Sequence, residues 1–378
     1  AALAAAGGVI FADGGVTLTL SGGVISGNAT YANGIGKCGD DTGSGGYGGG
    51  VYTKGADVTI GESANITNNR VDAHVADPNE YNYGLLGGGG IACTHGGTLT
   101  MTGGSVTANY SYEAGGGVYA GYHGKGITFD MTGGFISGNM SDNAEGGGLR
   151  ISSGTTGVIE ATSASNKVYI TNNKTMTGGT AGRKGDWGGG GVFVQTAGTL
   201  NLRAALVTKN EAGGWGGGIG ACPTGQTIVT HTNGSAIYSN TDHGENSSAG
   251  GNGKNEDSQS KYITDTFKTA GHQDFFLVRN KDGANKTIAV VLGKMLGGGS
   301  AGWQGTCDGN PITVDPNGGA EAKYMFGLQA NPSPDAVNKA QAAATTIISG
   351  NYSYTHGGGI MTNGDLIVGE VTSLDVYP

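Results

Sequence analysis

Four cysteines, seven histidines and a thin scatter of carboxylates are the residues of this 378-residue chain that could carry chemistry. The cysteines, Cys38, Cys93, Cys222 and Cys307, include no C-x-x-C pair and so do not spell a zinc site. Their places in the chain allow two disulfides, Cys38–Cys93 and Cys222–Cys307, each tying a long excursion to the body of the protein. Free buried thiols are the competing reading. The histidines (His74, His95, His123, His231, His243, His272 and His356) stand singly, with no H-E-x-x-H and no second His at a ligand spacing. Hydrolysis of a polysaccharide would need two carboxylates about 5–10 Å apart. A lyase would need an Arg or Lys base beside a calcium-holding acidic cluster. Asp57, Asp130 and Glu160 face outward on strands, but on different repeats and among threonines, which reads as solvated surface charge. No catalytic residue and no metal set follows. No cofactor is expected, and no cluster indicates a structural calcium.

Aromatic side chains are the better candidates, because Tyr and Trp dominate binding hot spots. Tyr31, Tyr81, Tyr83, Tyr110, Tyr112, Trp187, Trp215, Tyr352 and Tyr354 fall near the ends of repeats, with Tyr47 directly before a glycine triplet. Singly, each reads as packing. As a set on one edge they form the candidate ligand-binding group.

What must position them is a repeat. Eight β-branched residues stand three places before an asparagine: Ile25 before Asn28, Ile66 before Asn69, Val106 before Asn109, Ile136 before Asn139, Ile170 before Asn173, Val207 before Asn210, Ile237 before Asn240 and Ile348 before Asn351. Glycine triplets precede Val51, Ile91, Val118, Leu149, Val192, Ile219 and Ile360, and successive anchors come as close as 27 residues (Ile91 to Val118). That period is too long for a hairpin and too short for a βαβ unit, but suits one turn of a three-sided β-solenoid. The middle strand of each turn alternates, as in Thr98-Leu99-Thr100-Met101, which sends Leu and Met inward and Thr outward. The asparagines then form a hydrogen-bonded ladder along the stack, or each tolerates a left-handed turn.

Corner lengths vary at one place in the repeat, between the asparagine and the next triplet, with excursions at 29–47, 70–86, 174–187 and 241–345. In a stack in register these emerge from one edge, and insertions gathered on one face often mark a binding face. The organisation expected is β-helix coils over 1–240, an inserted excursion over 241–345, and a final coil with an exit tail over 346–378. Within the insertion, residues 241–260 are polar and read as a loop, and strand-like runs follow at Phe275–Val278, Thr287–Leu292 and Ile312–Val314. Ser333-Pro334-Asp335 then reads as a capped helix start.

Composition excludes several classes. Glycine supplies 80 residues without a G-x-y period, which rules out collagen. Lys plus Arg number 20 against 29 for Asp plus Glu, a formal charge of −9, which argues against a nucleic-acid partner. No apolar run approaches the roughly 20 residues that span a bilayer. Neither a signal peptide nor a wall-sorting tail is visible, so the chain reads as a monomeric part of a longer multidomain protein.

At its paired Gly-Gly-Gly-[Val/Ile] and [Ile/Val]-x-x-Asn motifs the sequence resembles right-handed parallel β-helix repeats. The polymorphic outer-membrane protein family pairs similar motifs but prefers Phe where this chain has Ile or Val. A closer likeness, at 97–107 and at Tyr352 to Leu366, is to large adhesin-like surface proteins of Gram-positive gut and mucosal bacteria. The resemblance implies an all-β, right-handed, single-stranded parallel β-helix with a large irregular insertion. It also implies an extracellular location at the cell surface or wall, and a host or microbial glycan or protein as ligand. Because parallel β-helices also host polysaccharide lyases and hydrolases, an enzyme is the runner-up expectation, and a purely structural stalk the next.

Overall fold

The computed structural model describes residues 8–33, 46–74, 87–122, 124–142, 145–176, 188–221, 225–229, 234–243, 273–278, 289–291, 294–307, 310–312, 319–320 and 325–369. Nearly every described element is a strand, and the strands of the repeats pair in parallel. Alternation decides which side chains go inside. In Thr98–Met101 and Thr199–Leu202 the leucines and methionine are buried while Thr and Asn stay partly exposed. Each strand then meets its counterpart in the next repeat, so Thr98, Thr128, Thr156 and Thr199 form one outward column. The inward column Val51, Ile91, Val118, Leu149, Val192, Ile360 and Ile219 is at most 1% exposed, and each such side chain contributes roughly 1.5–3 kcal/mol.

Three sheets result, of twelve, eight and sixteen strands. The sixteen-stranded sheet holds two stacks, joined where the long strand Asp57–Thr67 pairs with both Thr98–Met101 and Ser105–Thr107. The architecture is a solenoid-like stack of rungs around one apolar core.

The asparagines hold the corner between the sixteen- and eight-stranded sheets. Each amide Nδ2 donates to the Oδ1 of the asparagine on the next rung, from Asn28 to Asn69 (2.8 Å), Asn69 to Asn109 (3.1 Å), Asn109 to Asn139 (3.0 Å) and Asn139 to Asn173 (3.0 Å). The series continues through Asn351 (3.0 Å), Asn210 (2.8 Å) and Asn240 (3.0 Å), and ends on the carboxylate of Asp274 (2.8 Å). A left-handed residue is present in every copy, but it is the one before the asparagine: Gly27, Asn68, Ala108, Gly138, Asn172, Gly350, Lys209 and Ser239 all have φ between 53° and 73°. Ladder and turn are therefore both built, on adjacent residues.

The triplet Gly115-Gly116-Gly117 shows why glycine is needed three times. Gly115 sits at φ 61°. A Cβ on Gly116 would strike the backbone of Gly147 and Met140, and one on Gly117 would lie 2.8 Å from the Asn139 amide. The two sequence motifs thus meet at one corner.

Along the axis, rung order departs from chain order once. Thr346–Ser349 lies between Val168–Thr171 and Ala205–Thr208, and Tyr352–Ser353 between Lys174–Thr175 and Glu211–Ala212. Ile360–Thr362 and Asp365–Val368 are likewise flanked on both sides. The coil that comes last in the chain is therefore an interior rung. The chain climbs one extra rung between Leu202 and Ala205, and the late rung starts and stops against that crossing: Thr345 and Thr346 N–H donate to Ala204 O, and Gly369 N–H donates to Leu202 O.

The insertion joins the stack in part. Phe275–Val278 and Ala289–Val291 add parallel strands, and antiparallel Met325–Gln329, Gln304–Cys307, Asn310–Ile312 and Gly319–Ala320 follow. Helix Pro334–Ala343 starts on Ser333, whose side chain accepts from Ala336 N–H at 3.3 Å. Its buried Ala336 and Ala340 cover Leu206 and Ala236 on the outside of the sixteen-stranded sheet.

Candidate ligand-binding face

The eight-stranded sheet is built from the residues that follow each ladder asparagine. Its strands are short, and one side chain per strand turns inward: Thr30, Val71, Ser111, Ser141, Thr175, Ser353, Ala212 and Asp242 are all buried. The residue one place after each asparagine therefore faces out, in the column Ala29, Arg70, Tyr110, Met140, Lys174, Tyr352, Glu211 and Thr241. The residue three places after it continues the pattern, through Tyr31, Asp72, Tyr112, Asp142, Met176, Tyr354, Gly213 and His243.

Five of the expected aromatic residues share this face: Tyr31, Tyr110, Tyr112, Tyr352 and Tyr354. Tyr31 is 42% exposed and Tyr354 37%, while Tyr110, Tyr112 and Tyr352 are half-buried. Tyr110 is fixed by its neighbours: its hydroxyl donates to Asp142 Oδ2 at 3.1 Å, and the Arg70 guanidinium lies 5.5 Å from its ring centre. Arg70 also pairs with Asp72. Burial, then the charge of Asp142, push the Tyr110 phenol up from its ordinary range; burial and Glu211 do the same to Tyr352. Asn68, Asn69, Arg70, Ala108 and Tyr110 line an open hollow of about 210 Å³. Toward the other end His243 Nε2 meets Glu211 Oε1 at 3.0 Å. Arg70, Asp72, Asp142, Lys174, Met176, Glu211 and His243 were not singled out in the sequence. Counting one and three places from each asparagine finds all of them.

Trp215 belongs elsewhere. It is 1% exposed and stacks on Phe276 with ring centres 5.3 Å apart. The left-handed first glycine of a triplet folds the residue before it back over the outer face of the next strand. Tyr47 is buried in the same way, against Tyr52 and Tyr119. In this outer layer Arg150 pairs with Glu145 and lies 5.4 Å from the ring centres of Tyr119 and Phe193. Tyr81, Tyr83 and Trp187 lie outside the described residues.

Cys93 is a free thiol in the core, on the inward column between Thr53 and Ala120. The expected Cys38–Cys93 disulfide is not formed: Cys93 is free and packs in the core, and Cys38 lies outside the described residues. Burial pushes the thiol up to about 12. The pairing Cys222–Cys307 lies outside what is described. Among the described residues, no three His, Cys, Asp or Glu side chains gather to hold a metal, and no helix is long and apolar enough to cross a membrane. Asp57 accepts the Thr98 N–H at 2.9 Å and Glu160 pairs with Arg203 at 3.1 Å, so each is engaged on its own part of the surface.

No protein-family model, no curated protein and no solved structure matches the chain.

Proposed function

We propose that this chain is the ligand-binding region of a secreted or wall-anchored bacterial adhesin. In this reading the stack is a right-handed, three-sided parallel β-helix that displays the eight-stranded face to a glycan or protein on a host or microbial surface. The observation that carries the reading is the gathering of Tyr31, Tyr110, Tyr112, Tyr352 and Tyr354 on two adjacent outward columns. Tyr31 and Tyr354 are five rungs apart on one column, about 24 Å at about 4.8 Å per rung. That length suits an extended ligand lying along the axis, with rings for apolar sugar faces or side chains and Arg70, Asp72 and Asp142 for polar groups. Rigid backbone ladders preorganise the face, which lowers the ordering cost of binding.

The test is an array of glycans and matrix proteins probed with the isolated chain. Tyr31→Ala with Tyr354→Ala is expected to weaken any hit at least tenfold while leaving the melting temperature within about 2 °C. An array without a hit supports a structural stalk. Release of oligosaccharide from an array polymer supports a polysaccharide-active enzyme.

A further inference from the structure

The rung formed by residues 8–33 is unlike the others. Among the described residues, its strands Ile10–Asp13, Thr17–Ser26 and Ala29–Asn33 each have a partner on one side only. Val9, Phe11, Val16 and Val24 are 58%, 51%, 47% and 66% exposed, and Ile10, Leu18, Leu20 and Ile25 only partly close the core. Between Gly8 and Asn33 the only charged side chain is Asp13. Natural sheet edges facing water are blunted with charges or proline, and this one is not.

The asparagine ladder says what fits there. Every interior asparagine accepts on Oδ1 from the rung before it and donates from Nδ2 to a carbonyl three places before that rung's asparagine, as Asn69 Nδ2 does to Ile25 O at 2.9 Å. Asn28 makes only the onward bonds to Asn69, so its Oδ1 accepts nothing and one amide hydrogen is unused among the described residues. The opposite end of the ladder is finished: Asp274 Oδ1 takes the Asn240 donors, its Oδ2 takes the Ala330 N–H, and antiparallel Met325–Gln329 covers the strand.

We infer that the 8–33 end of the stack is a docking face for one more parallel rung of the same repeat, bearing its own corner asparagine. A second copy docked end to end does not satisfy it. Head to head, the facing strands would run antiparallel and could not repeat the parallel ladder register of the interior rungs; head to tail, the face would meet the occupied Asp274 carboxylate. A parallel rung instead continues the interface already made between Ile10–Asp13 and Val51–Lys54.

The experiment supplies that rung. A copy of residues 88–113 is fused ahead of Ala6, in place of residues 1–5, and compared with the same fusion carrying Asn109→Leu in the copy. Dye that binds exposed apolar surface is expected to fall by at least half, and the melting temperature to rise by about 5 °C, with the Leu version gaining less than half of that. A synthetic peptide of residues 88–113, added to the unmodified protein, is expected to displace dye as well, which covers a fusion that fails to fold. Unchanged dye binding by both routes overturns the inference. So does a concentration-dependent dimer of the unmodified protein in which the dye signal is already lost.

Discussion

Residues 88–113 and residues 346–368 fold into the same object by different routes. Each supplies a strand to every sheet, an inward aliphatic (Ile91, Ile360) after a glycine triplet, and an asparagine whose donors and acceptors are all used (Asn109, Asn351). The first lies beside rungs that are its neighbours in sequence. The second is reached after the whole insertion and lies between two rungs that follow one another in the chain. The motif specifies a rung and the hydrogen bonds it offers above and below. It does not specify which rung it meets, because any parallel copy presents the same column of groups.

The comparison can be broken most decisively at the ladder. Asn351→Leu removes acceptors for Asn173 N and Nδ2 and donors to Ile170 O and Asn210 Oδ1. At about 1–3 kcal/mol for each buried group left unpaired, several kcal/mol are lost. Denaturant unfolding followed by circular dichroism should show a much lower midpoint or no cooperative transition. Asn28→Leu, at the open end, should cost about 1 kcal/mol. Equal losses would mean that the late rung is not held as an interior one.

Glycine tests the likeness of the two rungs. A Cβ on Gly90 would lie 2.9 Å from Asn109 Nδ2 and from Gly117 O, and one on Gly359 would lie 2.6 Å from Gly218 O and 2.9 Å from Asn210 Nδ2. Gly90→Ala and Gly359→Ala should each cost about 2–3 kcal/mol and agree within about 1 kcal/mol. A Gly359 variant that is harmless would show that the late rung packs more loosely than its counterpart.

The smallest effect sharpens a difference between them: Cys93 occupies the inward position that Thr362 holds in the late rung. The folded thiol is raised to about 12, above its unfolded value. Its contribution is therefore fully present below about pH 8.5–9 and is lost as pH rises toward 12, by about 1–2 kcal/mol at pH 10. Cys93→Ala should flatten that part of the stability–pH curve, measured against the unmodified chain. Thiol reagents should label Cys93 only after unfolding.

The period, the triplets and the Ile/Val-x-x-Asn spacing made the parallel stack, its inward residues and the asparagine corner legible, because each depends on contacts repeated from rung to rung. The same spacing fixed Tyr31, Tyr110, Tyr112, Tyr352 and Tyr354 on one face, one or three places after an asparagine. Trp215 could not be separated from them, since its burial depends on a left-handed glycine turning it over Phe276, a residue some 60 places away. Cys93 was misplaced for a related reason: a four-residue run buried on both faces, such as Ile91–Thr94, has no polar alternation to reveal which way its thiol points. Rung order was decided by tertiary structure alone. Local sequence determines the hydrogen bonds and side-chain columns that every rung offers, and those are nearly identical from copy to copy. Which copies meet depends on where the crossing between Leu202 and Ala205 leaves a rung-wide gap, and only the closed stack defines that.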